Sequence, residues 1–325
     1  MSQFKMTLVS IRFVTRRYVC PSLKNLHTSL SSSSSASSAE RDNKKKEEID
    51  VRRKEIMARG LPKQKPIPGV KQILLVASGK GGVGKSTTAV NLCTAIKTVE
   101  PNKSVGLLDA DVFGPSIPLM MNLHETPILN QENLMEPLLN YGIKCMSMGF
   151  LIDEKSPVIW RGLMVMSALD KLIRQTAWTP LDYLIVDTPP GTGDTHLSLI
   201  QNLPLSGVII VTTPQSAALQ VARRGAVMFQ KMNVPVAGIV ENMSSVTCPV
   251  CSHQVQLFGD GTESLAKELD IDFLEKIPMD SQISKYCDNG KPIVLSLPES
   301  LIANAYCRLA HTVIEFLKKQ PINNT

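Results

Sequence analysis

Residues 79–86 read Gly-Lys-Gly-Gly-Val-Gly-Lys-Ser, and no other stretch of the 325-residue chain limits its fold as much. The string matches G-x-x-x-x-G-K-[ST], a phosphate cradle when a strand precedes it and a helix follows. Both flanks are predicted here. Ile73–Ala77 is a short apolar run of the kind that forms a buried parallel strand, and Thr87–Thr98 reads as a helix. Gly79, Gly81, Gly82 and Gly84 carry no Cβ, so the loop around Val83 can curl and aim its N–H groups inward. The helix beginning near Thr87 adds the positive end of its dipole. Lys85 supplies a cation for the β- and γ-phosphates, and the Ser86 hydroxyl can ligate Mg²⁺. Lys80 is not needed by an ordinary cradle, and on composition alone it is a solvated side chain.

Downstream, apolar runs alternate with helical patterns. Strands are predicted at Ser104–Leu108, Ile143–Met148, Tyr183–Asp187, Gly207–Thr212, Val236–Val240 and Phe273–Ile277. Helices are predicted at Leu163–Gln175, Ser216–Met232, Thr262–Leu269 and Leu301–Leu317. That order predicts an α/β fold, a doubly wound and mostly parallel sheet with helices on both faces. Met164 and Met166 are expected in core or dimer packing. Two strands end in aspartate, where such sheets bind ligands. Asp187 follows Tyr183-Leu184-Ile185-Val186 and is placed to hold Mg²⁺ through a water. Asp111, supported by Asp109, is placed to position an attacking water or the magnesium shell. Thr188–Asp194, with Gly191 and Gly193, reads as a loop that closes on a γ-phosphate. His196 is expected on the surface near a helix start. Arg161 reads equally as a phosphate contact or a surface charge. Asn242, expected just after its strand, is placed to read a base edge. No Asn-Lys-x-Asp or Thr-Lys-x-Asp guanine motif occurs, which favours ATP over GTP.

Cys248-Pro249-Val250-Cys251 is the second chemical feature. A structural zinc site or a [4Fe–4S] cluster takes four ligands, and this is the one CxxC in the chain. Cys93, Cys145, Cys287 and Cys307 read as core thiols, and Cys20 lies in the basic leader. Four sulfurs at one site therefore suggest two chains giving two each. A zinc site completed by His253, a redox pair and an idle pair stay open. Seven cysteines without disulfide-like density suit a reducing compartment.

The net charge of +6 is unevenly spread. Residues 1–39 hold Lys5, Arg12, Arg16, Arg17 and Lys24 and no acid, leaving +1 for the rest. A near-neutral body gives no ground for nucleic acid as a partner. The leader mixes apolar residues and arginines at helical spacing and ends in a serine-rich stretch, the composition of a mitochondrial transit peptide. Residues 40–68 read as a charged helix and proline linker, 69–319 as the nucleotide domain and 320–325 as a tail. No run is long enough to span a bilayer, and membrane contact is at most peripheral, near Lys318 and Lys319.

Gly79–Ser86, Asp109–Ser116, Asp187–Asp194, Glu241–Ser244 and Cys248 with Cys251 together resemble the Mrp/ApbC family of P-loop ATPases that carry iron–sulfur clusters. With its leader the chain is similar to the mitochondrial branch. One departure is Thr188, where the family commonly has methionine. The resemblance implies that Lys80 marks the deviant form of the loop and reaches the nucleotide of a dimer partner. It implies that Asn242 contacts adenine. It further implies a homodimer with a [4Fe–4S] cluster bridging two subunits, a slow ATPase gating transfer, and apo iron–sulfur proteins as recipients, respiratory complex I subunits among them, in the mitochondrial matrix. A zinc-stapled nucleotide-binding adaptor and a MinD- or ParA-like positioning ATPase are the alternatives.

Overall fold

The computed structural model describes residues 64–151, 162–248, 250, 251 and 253–323, which belong to one unit, Leu61–Thr325. The transit-peptide reading of 1–39, most of the 40–68 linker and Arg161 lie outside the described residues. The linker's last residues are anchored: Arg174 donates to the carbonyls of Lys65 and Pro66 at 2.9 and 3.1 Å.

The strands are β1 (Val70–Ala77), β2 (Val105–Asp109), β3 (Leu138–Asn140), β4 (Ile143–Ser147), β5 (Leu181–Asp187), β6 (Gly207–Thr212), β7 (Val236–Thr247), β8 (Gln254–Val255) and β9 (Phe273–Met279). They form one sheet in the order β3-β4-β2-β5-β1-β6-β7-β8, with β9 also paired to β7. The pairs from β4 through β7 and on to β9 are parallel; only the short β3 and β8 run antiparallel to their neighbours. The central strands β2 and β6 are buried at every position, because parallel strands are covered on both faces.

The helices are α1 (Lys85–Val99), α2 (Ile117–Met120), α3 (Gly162–Arg174), α4 (Asp194–Asn202), α5 (Ser216–Lys231), α6 (Gly261–Leu269), α7 (Ser281–Asp288), α8 (Ile293–Ser296) and α9 (Leu301–Lys318). Successive strand residues point to opposite faces. Ile209 and Val211 accordingly join the large core, whereas Ile210 packs with Ala222, Ala226, Leu265 and Ala266 of α5 and α6 on the other side. On the large-core face α1 packs against α9. α9 buries Ile302, Tyr306, Leu309, Val313, Ile314 and Leu317, an apolar stripe at three- and four-residue spacing. Ser300 caps it, its hydroxyl accepting the Ala303 N–H at 3.1 Å.

Three expectations are corrected. The predicted strand Val236–Val240 runs on to Thr247, so Glu241–Ser244 lie within β7 rather than after it. Cys307 is half-buried rather than a core thiol; the methionines expected in core or dimer packing are exposed (Met164, 51 %) and half-buried (Met166). His196 is fully buried, because α4 packs its first turn against Phe229 of α5, the rings 6.1 Å apart edge to face.

Candidate functional site

The strand-loop-helix unit forms as its residue types require. β1 ends at Ala77, the loop turns through Gly82 and Gly84 at φ +79° and +84°, and α1 starts at Lys85. Gly84 is constrained twice, by its left-handed backbone and because a Cβ there would lie 2.1 Å from Asn242 Nδ2. Gly79 is needed for close approach, since a Cβ would stand 2.7 Å from the backbone of Val221 in α5. A cavity of about 510 Å³ opens over the loop, well within the range that holds a nucleotide-sized ligand. Lys80, Gly81, Gly82, Gly84, Lys85, Ser86 and Thr87 line it, as does Asp111 from the end of β2. Val83 is buried behind the loop, and Lys80 is exposed.

Behind the loop lies a compact charge cluster. Lys85 Nζ donates to Asp187 Oδ1 at 2.5 Å and to Ser86 Oγ at 3.1 Å. Asp187 is 0 % exposed and its Oδ2 has no hydrogen-bond partner among the described residues. Asp109 sits beside it in register on the adjacent strand. Burial, then the neighbouring Asp187 charge, push the Asp109 carboxyl up to about 7. Burial likewise raises Asp187, opposed by Lys85. Asp109 organises the turn that follows it. Its oxygens accept the N–H groups of Asp111, Ser116 and Ile117 at 3.1, 3.1 and 3.3 Å and the Ser147 hydroxyl at 3.0 Å. Asp109 thus supports Asp111 through the backbone.

Asn242 turns its amide toward the loop rather than outward. It is 6 % exposed and donates from Nδ2 to the Val83 carbonyl at 2.8 Å, tying β7 to the phosphate loop at the edge of the cavity. The far wall was not legible in the sequence. Pro278 and Met279 at the end of β9, with Asp280, Ile283, Ser284 and Asp288, face the loop across the cavity. The one cue was Asp280, whose side chain accepts the Gln282 N–H at 2.8 Å and starts α7.

Thr188 opens the loop after β5. Its hydroxyl donates to the Val76 carbonyl at 3.0 Å, so its oxygen is left to accept from His196 Nε2, 3.0 Å away. The imidazole therefore carries its proton on Nε2, and its buried Nδ1 has no partner among the described residues. Burial, then the Lys85 charge, hold His196 down at about 4, neutral at physiological pH. Further along, the Gly191 N–H donates to the Ser78 carbonyl at 2.9 Å, which ties the loop to the base of the cradle.

The cysteine pair stands on a hairpin at the far end of β7. Val246 and Thr247 pair with Val255 and Gln254 of β8, and the Cys248 N–H donates to the His253 carbonyl at 2.9 Å. Cys248 is half-buried and Cys251 exposed. The N–H groups of Cys251 and Val250 turn toward the Cys248 sulfur and lower its pKa, favouring the thiolate a metal requires. No group of three or more His, Cys, Asp or Glu side chains fit to hold a metal occurs among the described residues, so His253 does not complete a site there.

A family model described as a ParA-type NUBPL iron-transfer P-loop NTPase matches residues 69–314. The mouse iron–sulfur cluster transfer protein NUBPL is 57 % identical over 276 residues, 85 % of this chain and 86 % of that protein. An Arabidopsis thaliana protein named as an iron–sulfur protein required for NADH dehydrogenase, mitochondrial, is 50 % identical over 77 % of this chain and 80 % of its own. Among solved structures, an Archaeoglobus fulgidus nucleotide-binding protein in complex with ADP is 37 % identical, with a TM-score of 0.61 over 71 % of this chain and 90 % of its own.

Proposed function

The chain belongs to the NUBPL iron-transfer P-loop NTPase family, and from that premise we propose that it is an ATP-dependent carrier of a [4Fe–4S] cluster, held between two copies of itself. One observation carries the reading: β7 runs from the phosphate cradle, which it meets through Asn242, to a hairpin that bears two thiols. Two thiols without a third ligand nearby fit a cluster shared across a two-fold axis, each chain supplying two sulfurs.

The described residues fit nucleotide and Mg²⁺. Lys85 and the loop N–H groups would hold the phosphates, and Lys80, exposed at the rim, would reach those of the partner chain. Ser86 Oγ and the unpartnered Asp187 Oδ2, the latter through a water, would hold Mg²⁺, which when bound neutralises phosphate charge. Lys85 then exchanges Asp187 for phosphate oxygens, and Asp111 orients the attacking water. Loop Thr188–Gly193 and Lys80 tighten the pair of chains while γ-phosphate is present and release it afterwards, changing the separation of the two hairpins and their grip on the cargo. Asn242, which also lines the cavity, would turn from the Val83 carbonyl to the base edge. The recipients are apo iron–sulfur proteins, respiratory complex I subunits among them. The place of action is the mitochondrial matrix, reached through the leader at residues 1–39.

Metal and acid-labile sulfide analysis of oxygen-free protein tests this. Roughly four irons and four sulfides per two chains are expected, lost in a Cys248→Ala/Cys251→Ala variant. Stoichiometric zinc without sulfide would replace the reading with that of a zinc-stapled adaptor. Lys85→Ala should abolish ATP-stimulated transfer to an apo-acceptor; undiminished transfer by that variant overturns ATP dependence.

A further inference from the structure

β7 reaches both chemical features. Asn242 binds the cradle through the Val83 carbonyl, and Cys248 follows six residues later, just past the strand's end. The strand between them is not regular. Met243 has φ +57°, a left-handed backbone that a long side chain adopts rarely and at a cost of about 1–3 kcal/mol. There the pairing with β9 slips: Asn242 pairs with Ile277 and the next partners are Val246 and Met279, so four steps along β7 match two along β9. The extra residues form a bulge that separates a cradle-facing half of β7 from a cysteine-bearing half. Met243 also borders the nucleotide cavity, and so does Met279, the residue paired with Val246.

The cysteine-bearing half has room to move. On the other side of Pro278–Asp280 lies a second cavity of about 670 Å³, roofed by Ser245 and Thr247 of β7 and Gln254 of β8. From Ser245 to Thr247 the strand is half-buried to exposed and borders that cavity, while the cradle-facing half is buried through Asn242. A joint belongs where a buried, anchored strand meets one with space beneath it.

We propose that Met243 is the positioning residue through which occupancy of the phosphate cavity sets the aim of Cys248 and Cys251. The proposal rests on the nucleotide-binding reading above and names its route. Its left-handed backbone holds the bulge in one setting, and a ligand pressing on Met243 and Met279 reorients the strand beyond them. Met243→Gly should uncouple the two halves, because glycine enters that conformation and several others freely. Met243→Asn should preserve coupling, because asparagine is the side-chain-bearing residue that best tolerates it.

The test uses the full chain without cluster. Alkylation rates of the peptide bearing Cys248 and Cys251 are followed by mass spectrometry, with and without Mg-ADP at a concentration saturating for each variant, and binding is checked separately with a fluorescent ADP analogue. In the native chain nucleotide should change the rate by about fivefold or more, the lower end of ordinary coupling between sites. Met243→Gly should bind the analogue yet show one rate in both conditions, and Met243→Asn should restore the difference. Binding without any rate change in the native chain, or a full rate change in Met243→Gly, overturns the proposal while leaving nucleotide binding intact. Absence of analogue binding by the native chain overturns the nucleotide reading and the proposal with it.

Discussion

Lys85 is the only cation hydrogen-bonded to Asp187 among the described residues, and Asp109 lies in register on the next strand. Removing it leaves two neighbouring buried carboxylates, and breaking a buried pair costs about 3–5 kcal/mol. Lys85→Ala should therefore lower the midpoint of urea unfolding as well as abolish ADP binding; a variant as stable as the native chain would show that Asp187 finds another partner. His196 makes a second prediction. Its folded pKa of about 4 lies below the ordinary 6.5, so the unfolded chain takes up the proton first. Its contribution is present above pH 6.5 and is lost as pH falls through 4, up to about 3 kcal/mol in all. His196→Gln keeps a donor for Thr188 and cannot titrate, so its stability measured from pH 7 to 4 should fall less steeply than that of the native chain. Both residues show what sequence reading misses. Glycine spacing and strand-ending aspartates announced Lys85 and Asp187, because those residue types have few other uses there. Nothing local announced the burial of His196, which comes from Phe229 some thirty residues away.

At the scale of elements, legibility followed length and period. β1, β5 and β6 are apolar runs covered on both faces, and α5 and α9 carry full amphipathic stripes, so each lay within a few residues of its predicted bounds. β3 and β8 are three and two residues long and show no period to read. α7 is short and polar, yet it supplies the wall facing the cradle. The predicted β7 stops early because its apolar pattern breaks at Glu241 and Asn242, polar residues that are nonetheless buried, Asn242 through its bond to the Val83 carbonyl. Elements also depend on partners far away in sequence. The last turn of α9 is held by Gln72 of β1, whose Nε2 donates to the Leu317 carbonyl at 2.6 Å. Gln72→Ala should cost about 1 kcal/mol and speed amide exchange in the last turn of α9, with α1 unaffected. Equal protection in both proteins would show that packing of Leu309, Val313 and Leu317 alone keeps the turn closed.

For the molecule as a whole, the question is whether one chain is a complete functional unit. Lys85, Ser86, Asp111 and Asp187 of the cradle all come from the one chain, and on the proposed function only Lys80 would act across an interface. The hairpin offers two thiols, and no third ligand stands by among the described residues, so on the proposed function a second chain would complete the site. Lys80 is exposed at the cavity rim, as a residue reaching into a partner must be. Lys80→Ala should leave the fold unchanged by circular dichroism and weaken the ATP-bound pair by light scattering; an unchanged dimer would remove the cross-chain role. Mixing gives a sharper result. If the cargo is shared, iron should depend on the fraction of pairs in which both chains carry cysteines. An equimolar mixture of native chain and Cys248→Ala/Cys251→Ala chain, allowed to exchange before anaerobic reconstitution, pairs at random through a self-complementary two-fold surface. Only about a quarter of the pairs are then native on both sides, so iron per chain should fall to about a quarter of the unmixed value. If each chain holds its own metal, the value falls only to about half. The two arithmetics differ twofold, well beyond the error of an iron assay, and a result at one half would dismantle the two-chain site while leaving the nucleotide cradle as it stands.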